Sequence, residues 1–133
     1  MKIGELAKLT GCSVQSIRFY EKENLFSAPR RSEGNYRLYD NGNLEQLAFI
    51  KHCRNLDITL AEIKQLLDLK QSPESQCEDV NNLIDAHIDQ INLRMVELKK
   101  LKSSLTALRS KCSTNQTIKT CGILQDLSTK PTD

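Results

Sequence analysis

Tryptophan is absent from these 133 residues, and only three Phe and three Tyr are present, so any aromatic that carries function must be well placed. Glycine and proline are scarce, at five and three, and no Gly-rich phosphate loop occurs. No nucleophile–base–orienter set or catalytic pair of carboxylates stands out either, so an enzyme is not expected. No apolar run nears the ~20 residues of a membrane span, and Met1-Lys2 opens no secretory apolar region. The expectation is a cytoplasmic chain without a membrane partner. The five cysteines are an odd number, which argues for reduced thiols or metal ligands over a disulfide framework. Net charge is only +2, and the first 70 residues hold the whole excess. A case for nucleic acid must therefore come from where the arginines stand.

What is present begins with two short amphipathic helices, Lys2 to Leu9 and about Val14 to Lys22. They are joined by Thr10-Gly11-Cys12-Ser13, whose Ser13 can cap the second helix. Val14, Ile17 and Tyr20 face inward at three-residue spacing, and Gln15, Ser16, Arg18, Phe19 and Lys22 take the other face. This is a helix-turn-helix signature. The turn formers Ser32-Glu33-Gly34-Asn35 follow, flanked by Arg30-Arg31 and Tyr36-Arg37-Leu38-Tyr39, and read as a hairpin or wing. Arginines interleaved with Tyr36 on a wing suit the positioning of phosphates.

Asp40 caps a helix from about Asn41 to Leu56, with Leu44, Leu47, Ala48, Ile50 and Leu56 as its apolar stripe. Thr59-Leu60-Ala61-Glu62 is a capping box that opens a helix to Leu69, whose core contacts are Ile63, Leu66 and Leu67. Residues 71–76 form the one linker, and Ser75 with Glu78 makes a second capping box that puts Cys77 in the first turn of a long helix. That helix repeats Ile84, Ile88, Ile91, Met95 and Leu98 at alternating steps of four and three, then resumes as Leu101, Leu105, Leu108 and Cys112. The pattern is a coiled-coil seam with one defect. No second long helix exists in the chain to cover the seam, so self-association is the economical solution. His87 reads as an exposed or register-setting residue. Gly122 to Leu127 reads as a short apolar helical turn.

Cys77 stands before this helix, Cys112 at its end, and Cys121 after an eight-residue loop. A helix of ~30 residues is ~45 Å long, so Cys77 cannot meet Cys112 within its own chain. Antiparallel pairing with a copy brings Cys77 of one chain beside Cys112 and Cys121 of the other. The loop holds no His, Asp or Glu, so an ion there meets sulfur, backbone carbonyls or water. That donor set favours soft, large cations such as Cd(II), Pb(II) and Hg(II); Zn(II) usually takes a fourth ligand. Three thiolates and a divalent ion sum to one negative charge, which selects against monovalent ions. A Cys112–Cys121 redox switch is the competing reading. Cys12 and Cys53 lack a partner at ligand spacing and read as structural.

Together these readings give a mainly α fold. A winged helix-turn-helix DNA-binding domain (1–70) and a linker (71–76) precede a long antiparallel coiled-coil dimerisation helix (77–111). A C-terminal metal-binding loop, short helix and tail (112–133) complete the chain.

The segments Ile3-Gly4-Glu5-Leu6-Ala7, Ser16-Ile17-Arg18-Phe19-Tyr20-Glu21, Asn35-Tyr36-Arg37-Leu38-Tyr39 and Ile58-Thr59-Leu60-Ala61-Glu62-Ile63 resemble the MerR family of transcriptional regulators. Cys112-x8-Cys121-Gly122-Ile123-Leu124 resembles its cadmium- and lead-responsive, CadR/PbrR-like branch. The resemblance implies a homodimer on promoter DNA that untwists an over-long spacer for RNA polymerase when metal binds, activating heavy-metal resistance genes. It implies DNA contacts by Arg18 and Tyr20 on the second helix and by Tyr36 and Arg37 on the wing, with Gln15 and Ser16 as candidates for base edges. Arg30 and Arg31 join them on the wing. It also implies metal ligation by Cys77 of one protomer with Cys112 and Cys121 of the other. Cd(II) or Pb(II) is the expected ion, with Hg(II) the rival and Zn(II) possible, although Ser113 follows Cys112 and no His lies beyond residue 87, a departure from the zinc-responsive members. The tail has no His, so one site per dimer end is expected.

Overall fold

The computed structural model describes residues 1–26, 30–31, 33–34, 37–129 and 131, with the side chains of Arg30 and Arg31 outside the described set. The chain divides into two compact units, Met1–Ile84 and Asp85–Asp133.

In the first unit, α1 (Ile3–Thr10) stops at Gly11, whose φ of 71° is left-handed and returns its N–H to the Ala7 carbonyl at 2.9 Å. A side chain would strain that backbone. Lys51 Nζ donates to the Gly11 carbonyl at 2.7 Å, tying the turn to α3 (Asn41–Asn55). α2 (Val14–Lys22) opens on Ser13, whose Oγ accepts the Ser16 N–H at 3.0 Å. Asp40 caps α3 in a reciprocal box with Asn43, and Thr59 caps α4 (Leu60–Lys70) in one with Glu62. Each such cap is worth about 1 kcal/mol because it satisfies backbone donors that a helix start leaves open. Leu6, Ile17, Leu47, Ile50 and Ile63 are completely buried where these helices meet, with Leu25, Phe26, Tyr39 and Ile58 closing the core.

The wing is a two-stranded antiparallel ribbon, β1 (Arg30–Arg31) on β2 (Arg37–Leu38), with Arg30 opposite Leu38 and Arg31 opposite Arg37. Just past β2, the Tyr39 N–H donates to the Met1 carbonyl at 2.7 Å, and the Met1 amine donates to the Tyr39 carbonyl at 2.6 Å. The wing's exit is thereby anchored to the start of α1.

α5 (Glu78–Arg109) is a single helix of 32 residues. Cys77 stands at its cap position, its carbonyl accepting the Asn81 N–H at 2.9 Å, and not inside the first turn as the capping-box reading expected. The seam residues Ile88, Ile91, Met95, Leu98, Leu101 and Leu105 are exposed in the single chain. After α5 comes a loop with one 3-10 turn (Ile118–Thr120), then α6 (Gly122–Leu127). Among the described residues no helix is long and apolar enough to cross a membrane.

Three expectations about burial need correction. Leu56 is 64% exposed, because the chain turns back at Asp57, whose φ is 61°, and Ile58 enters the core in its place. Ala48 is exposed on α3. His87 is buried, not exposed.

Candidate functional site

Two groups of predicted residues occupy separate units. In Met1–Ile84 the outer face of α2 carries Gln15 and Arg18, both exposed. Ser16 is half-buried, and its hydroxyl accepts from Ser13 Oγ at 2.9 Å, so it is drawn into the helix cap. Tyr20 is half-buried against the core, its ring tilted on that of Phe19 at 5.9 Å between centroids. Arg37 on β2 is exposed and bonds through Nη1 to Glu21 Oε2 on α2. Tyr36 lies outside the described residues, and Arg30 and Arg31 are described only as positions on β1.

Glu21 and Tyr39 are the residues that sequence reading did not assign. The Tyr39 hydroxyl lies 3.5 Å from Glu21 Oε2. Burial, followed by the charge on Glu21, pushes the Tyr39 phenol up, so it stays a neutral donor. The only signal available was that Glu21 stands one helical turn from the buried Ile17 and from Arg18 on α2. Lys2, Arg18, Lys22 and Arg37 line a surface depression of about 800 Å³ around Glu21. A concave, basic face made by a helix and a wing suits a phosphate backbone.

In Asp85–Asp133 the thiols of Cys112 and Cys121 lie near enough to perturb one another, and the Cys112 thiol donates to the Ser113 carbonyl at 3.4 Å. Three contacts make this possible. Gly122 passes so close to the end of α5 that a Cβ would sit 2.1 Å from the Lys111 carbonyl oxygen. Lys111 Nζ binds Asp126 Oδ1 of α6 at 2.6 Å, and Arg109 Nη1 donates to the Cys112 carbonyl at 2.8 Å. The two sulfurs differ electrostatically. Cys121 is pulled down by the backbone N–H of Leu124, then by the Cys112 thiol and the Ile123 N–H. Cys112 is pushed up, first by the neighbouring Cys121 sulfur, then by desolvation and the Cys121 charge. The proton affinity of each sulfur therefore depends on the other.

Cys77 is exposed at the head of α5 and belongs to the other unit. Among the described residues, no three His, Cys, Asp or Glu side chains of one chain converge on a metal position. Cys53 is buried, and burial pushes its thiol up, as suits a packing residue; Cys12 is half-buried.

Residues 1–70 match the family described as MerR HTH family regulatory protein, and residues 44–108 match the one described as MerR, DNA binding. A ZntR-homologous HTH-type transcriptional regulator of Haemophilus influenzae is 46% identical over 86% of this chain and 85% of its own. Among solved structures, the transcription regulator PbrR691 from Ralstonia metallidurans in complex with lead(II) is 51% identical, with a TM-score of 0.85 over 96% of this chain and 99% of its own. The dual-function transcriptional regulator MerR from Bacillus megaterium, in complex with mercury(II), is 32% identical, with a TM-score of 0.74 over 97% and 100%.

Proposed function

The chain belongs to the MerR family of metal-responsive transcriptional regulators, DNA-binding proteins and not enzymes, and from that premise we propose that it activates heavy-metal resistance genes when Cd(II) or Pb(II) binds its thiols. The observation that carries this reading is the neighbouring pair Cys112 and Cys121, two sulfurs with no His, Asp or Glu in the loop between them. One chain supplies only this pair, and the third sulfur is Cys77 of the partner subunit, delivered by antiparallel pairing of the two α5 seams. The likeness to a lead-bound regulator at 51% identity supports the ion class. Three thiolates hold a large soft ion in a trigonal set, whereas Zn(II) usually takes a fourth ligand.

Residues 1–70 serve as the DNA-binding domain, 71–76 as linker, 77–111 as the dimerisation helix and 112–133 as the metal loop. Gln15, Ser16, Arg18 and Tyr20 meet the major groove, and Arg30, Arg31, Tyr36 and Arg37 meet the backbone beside it. The protein works in the cytoplasm. Metal favours one dimer shape over another, and that differential affinity is the only source of work on the promoter. The changed shape untwists the spacer so that RNA polymerase reads both promoter elements.

The test is a titration of the reduced protein with Cd(II), Pb(II), Hg(II) and Zn(II), followed by thiolate-to-metal charge-transfer absorption. Saturation near one ion per protomer, lost in Cys77→Ser, is the expected result, and the tightest ion names the inducer. A Hg(II) or Zn(II) preference moves the protein to another branch of the same family, where its mercury-bound and ZntR-like relatives stand. No band with any ion refutes the metal reading and leaves the adjacent thiols as a redox pair.

A further inference from the structure

We propose that Glu21 is a positioning residue for operator binding, whose carboxylate holds the Arg37 guanidinium on α2 so that helix and wing meet the DNA backbone as one surface. This rests on the DNA-binding reading above and adds to it a residue that carries the wrong charge for a DNA contact.

The Glu21 side chain is only 8% exposed although it belongs to a surface helix. Its Oε2 takes both donors from the wing end, Arg37 Nη1 and the Tyr39 hydroxyl. Its Oε1 is buried and has no hydrogen-bond partner among the described residues. The carboxylate is therefore turned toward the wing and away from water. Around it stand Lys2, Arg18, Lys22 and Arg37. A carboxylate among cations repels the phosphate they attract, so its presence there is useful only if it supplies order.

The order is specific. Arg37 is exposed, on a strand of two residues, and an unrestrained arginine must freeze several rotatable bonds to reach a phosphate. Held by Glu21, it has lost that freedom before DNA arrives. A guanidinium carries five N–H donors, and the Glu21 bond leaves most of them for a phosphate oxygen. Tyr39 fixes the carboxylate in turn. Its ring is buried, tilted on Phe26 at 6.4 Å between centroids, and its backbone is pinned to Met1.

The experiment is a double-mutant cycle read by fluorescence anisotropy. It uses the full chain and a labelled duplex spanning the DNA upstream of the protein's own gene. Glu21→Gln keeps the shape and removes the charge, and should weaken binding about tenfold, the scale of one charge-assisted hydrogen bond. Arg37→Ala should weaken it at least as much. In the Arg37→Ala background, Glu21→Gln should add less than about twofold, because a residue that acts through Arg37 has nothing left to position. Equal or tighter binding by Glu21→Gln, or a fully additive loss in the double variant, overturns the proposal. Circular dichroism melting shows whether Glu21→Gln folds. If it does not, Glu21→Asp, which keeps the charge and shortens the reach, enters the same cycle with the same criteria. A wild-type protein that fails to bind the duplex refutes the DNA-binding reading itself. Wild-type binding with an additive cycle refutes only the role of Glu21.

Discussion

A Cβ at Gly122 would stand 2.1 Å from the Lys111 carbonyl oxygen, too near for any side chain to fit, since the obstacle is main chain and cannot rotate away. The residue before it is Cys121, and the residue after Lys111 is Cys112. The sulfur pair thus depends on a hydrogen atom standing where every other residue has a carbon. Gly122→Ala should push α6 off the end of α5 and separate the thiols while leaving all three candidate ligands in place. Overpacking of this kind costs about 1–3 kcal/mol, roughly 5- to 150-fold in metal affinity. Competition titration against a chromophoric chelator measures it. Wild-type affinity in Gly122→Ala would mean that the pair forms without the close approach. The Lys111–Asp126 bridge joins the same two elements but is half exposed at both ends, so it contributes little beside Gly122.

At the scale of elements, α5 is the anomaly. Leu98 is 59% exposed and Met95 62% exposed in the single chain, and Ile88, Ile91, Leu101 and Leu105 are exposed with them. An isolated helix does not keep such a stripe in water; in proteins helices are stabilised by burying it. The two readings of that stripe differ in what a charge does to it. On a solvated face Leu98→Glu changes stability by no more than about 0.5 kcal/mol. In a self-complementary seam it appears twice in one interface and costs about 2 kcal/mol or more per copy. Sedimentation velocity of Leu98→Glu should show a monomer where the wild type sediments as a dimer. A dimer of undiminished stability would remove the antiparallel seam, and with it the delivery of Cys77. The helices of the first unit behave in the opposite way: they share a core of Leu6, Ile17, Leu47, Ile50 and Ile63, and α2, α3 and α4 are capped by Ser13, Asp40 and Thr59.

For the whole molecule, the predicted DNA contacts and the thiol pair fall in different compact units, so the two activities should be separable by substitution. Cys112→Ser should abolish induction by metal and leave operator affinity within about twofold of wild type. Arg18→Ala should leave the metal titration unchanged and lower the slope of log affinity against log salt by about 0.9, one phosphate's worth of released counterions. Filter binding across a salt series, paired with a promoter–reporter assay, reads both arms. Loss of DNA binding in Cys112→Ser would show that the thiols hold the reading head together and do not merely instruct it.

What the sequence determined by itself was whatever depends on neighbours a few residues away. Helix starts at Ser13, Asp40 and Thr59, the wing between residues 30 and 38, the long helix and the spacing of Cys112 and Cys121 are all local patterns, because caps and periodicities act within one or two turns. The stripe on α3 failed at Leu56 because a left-handed residue, Asp57, redirects the chain there, and helical periodicity carries no information about where a helix stops. The Glu21–Arg37 bond was out of reach for a stronger reason: its ends are 16 residues apart and on different elements, so only folding makes them neighbours. The same holds for the contact of Gly122 with Lys111, which sequence spacing shows as a loop and the tertiary structure shows as a clasp. Pattern names the elements and the chemistry they carry, while distance between groups far apart in the chain is set by packing, and it is packing that draws two cysteines together and takes a helix-surface carboxylate out of water.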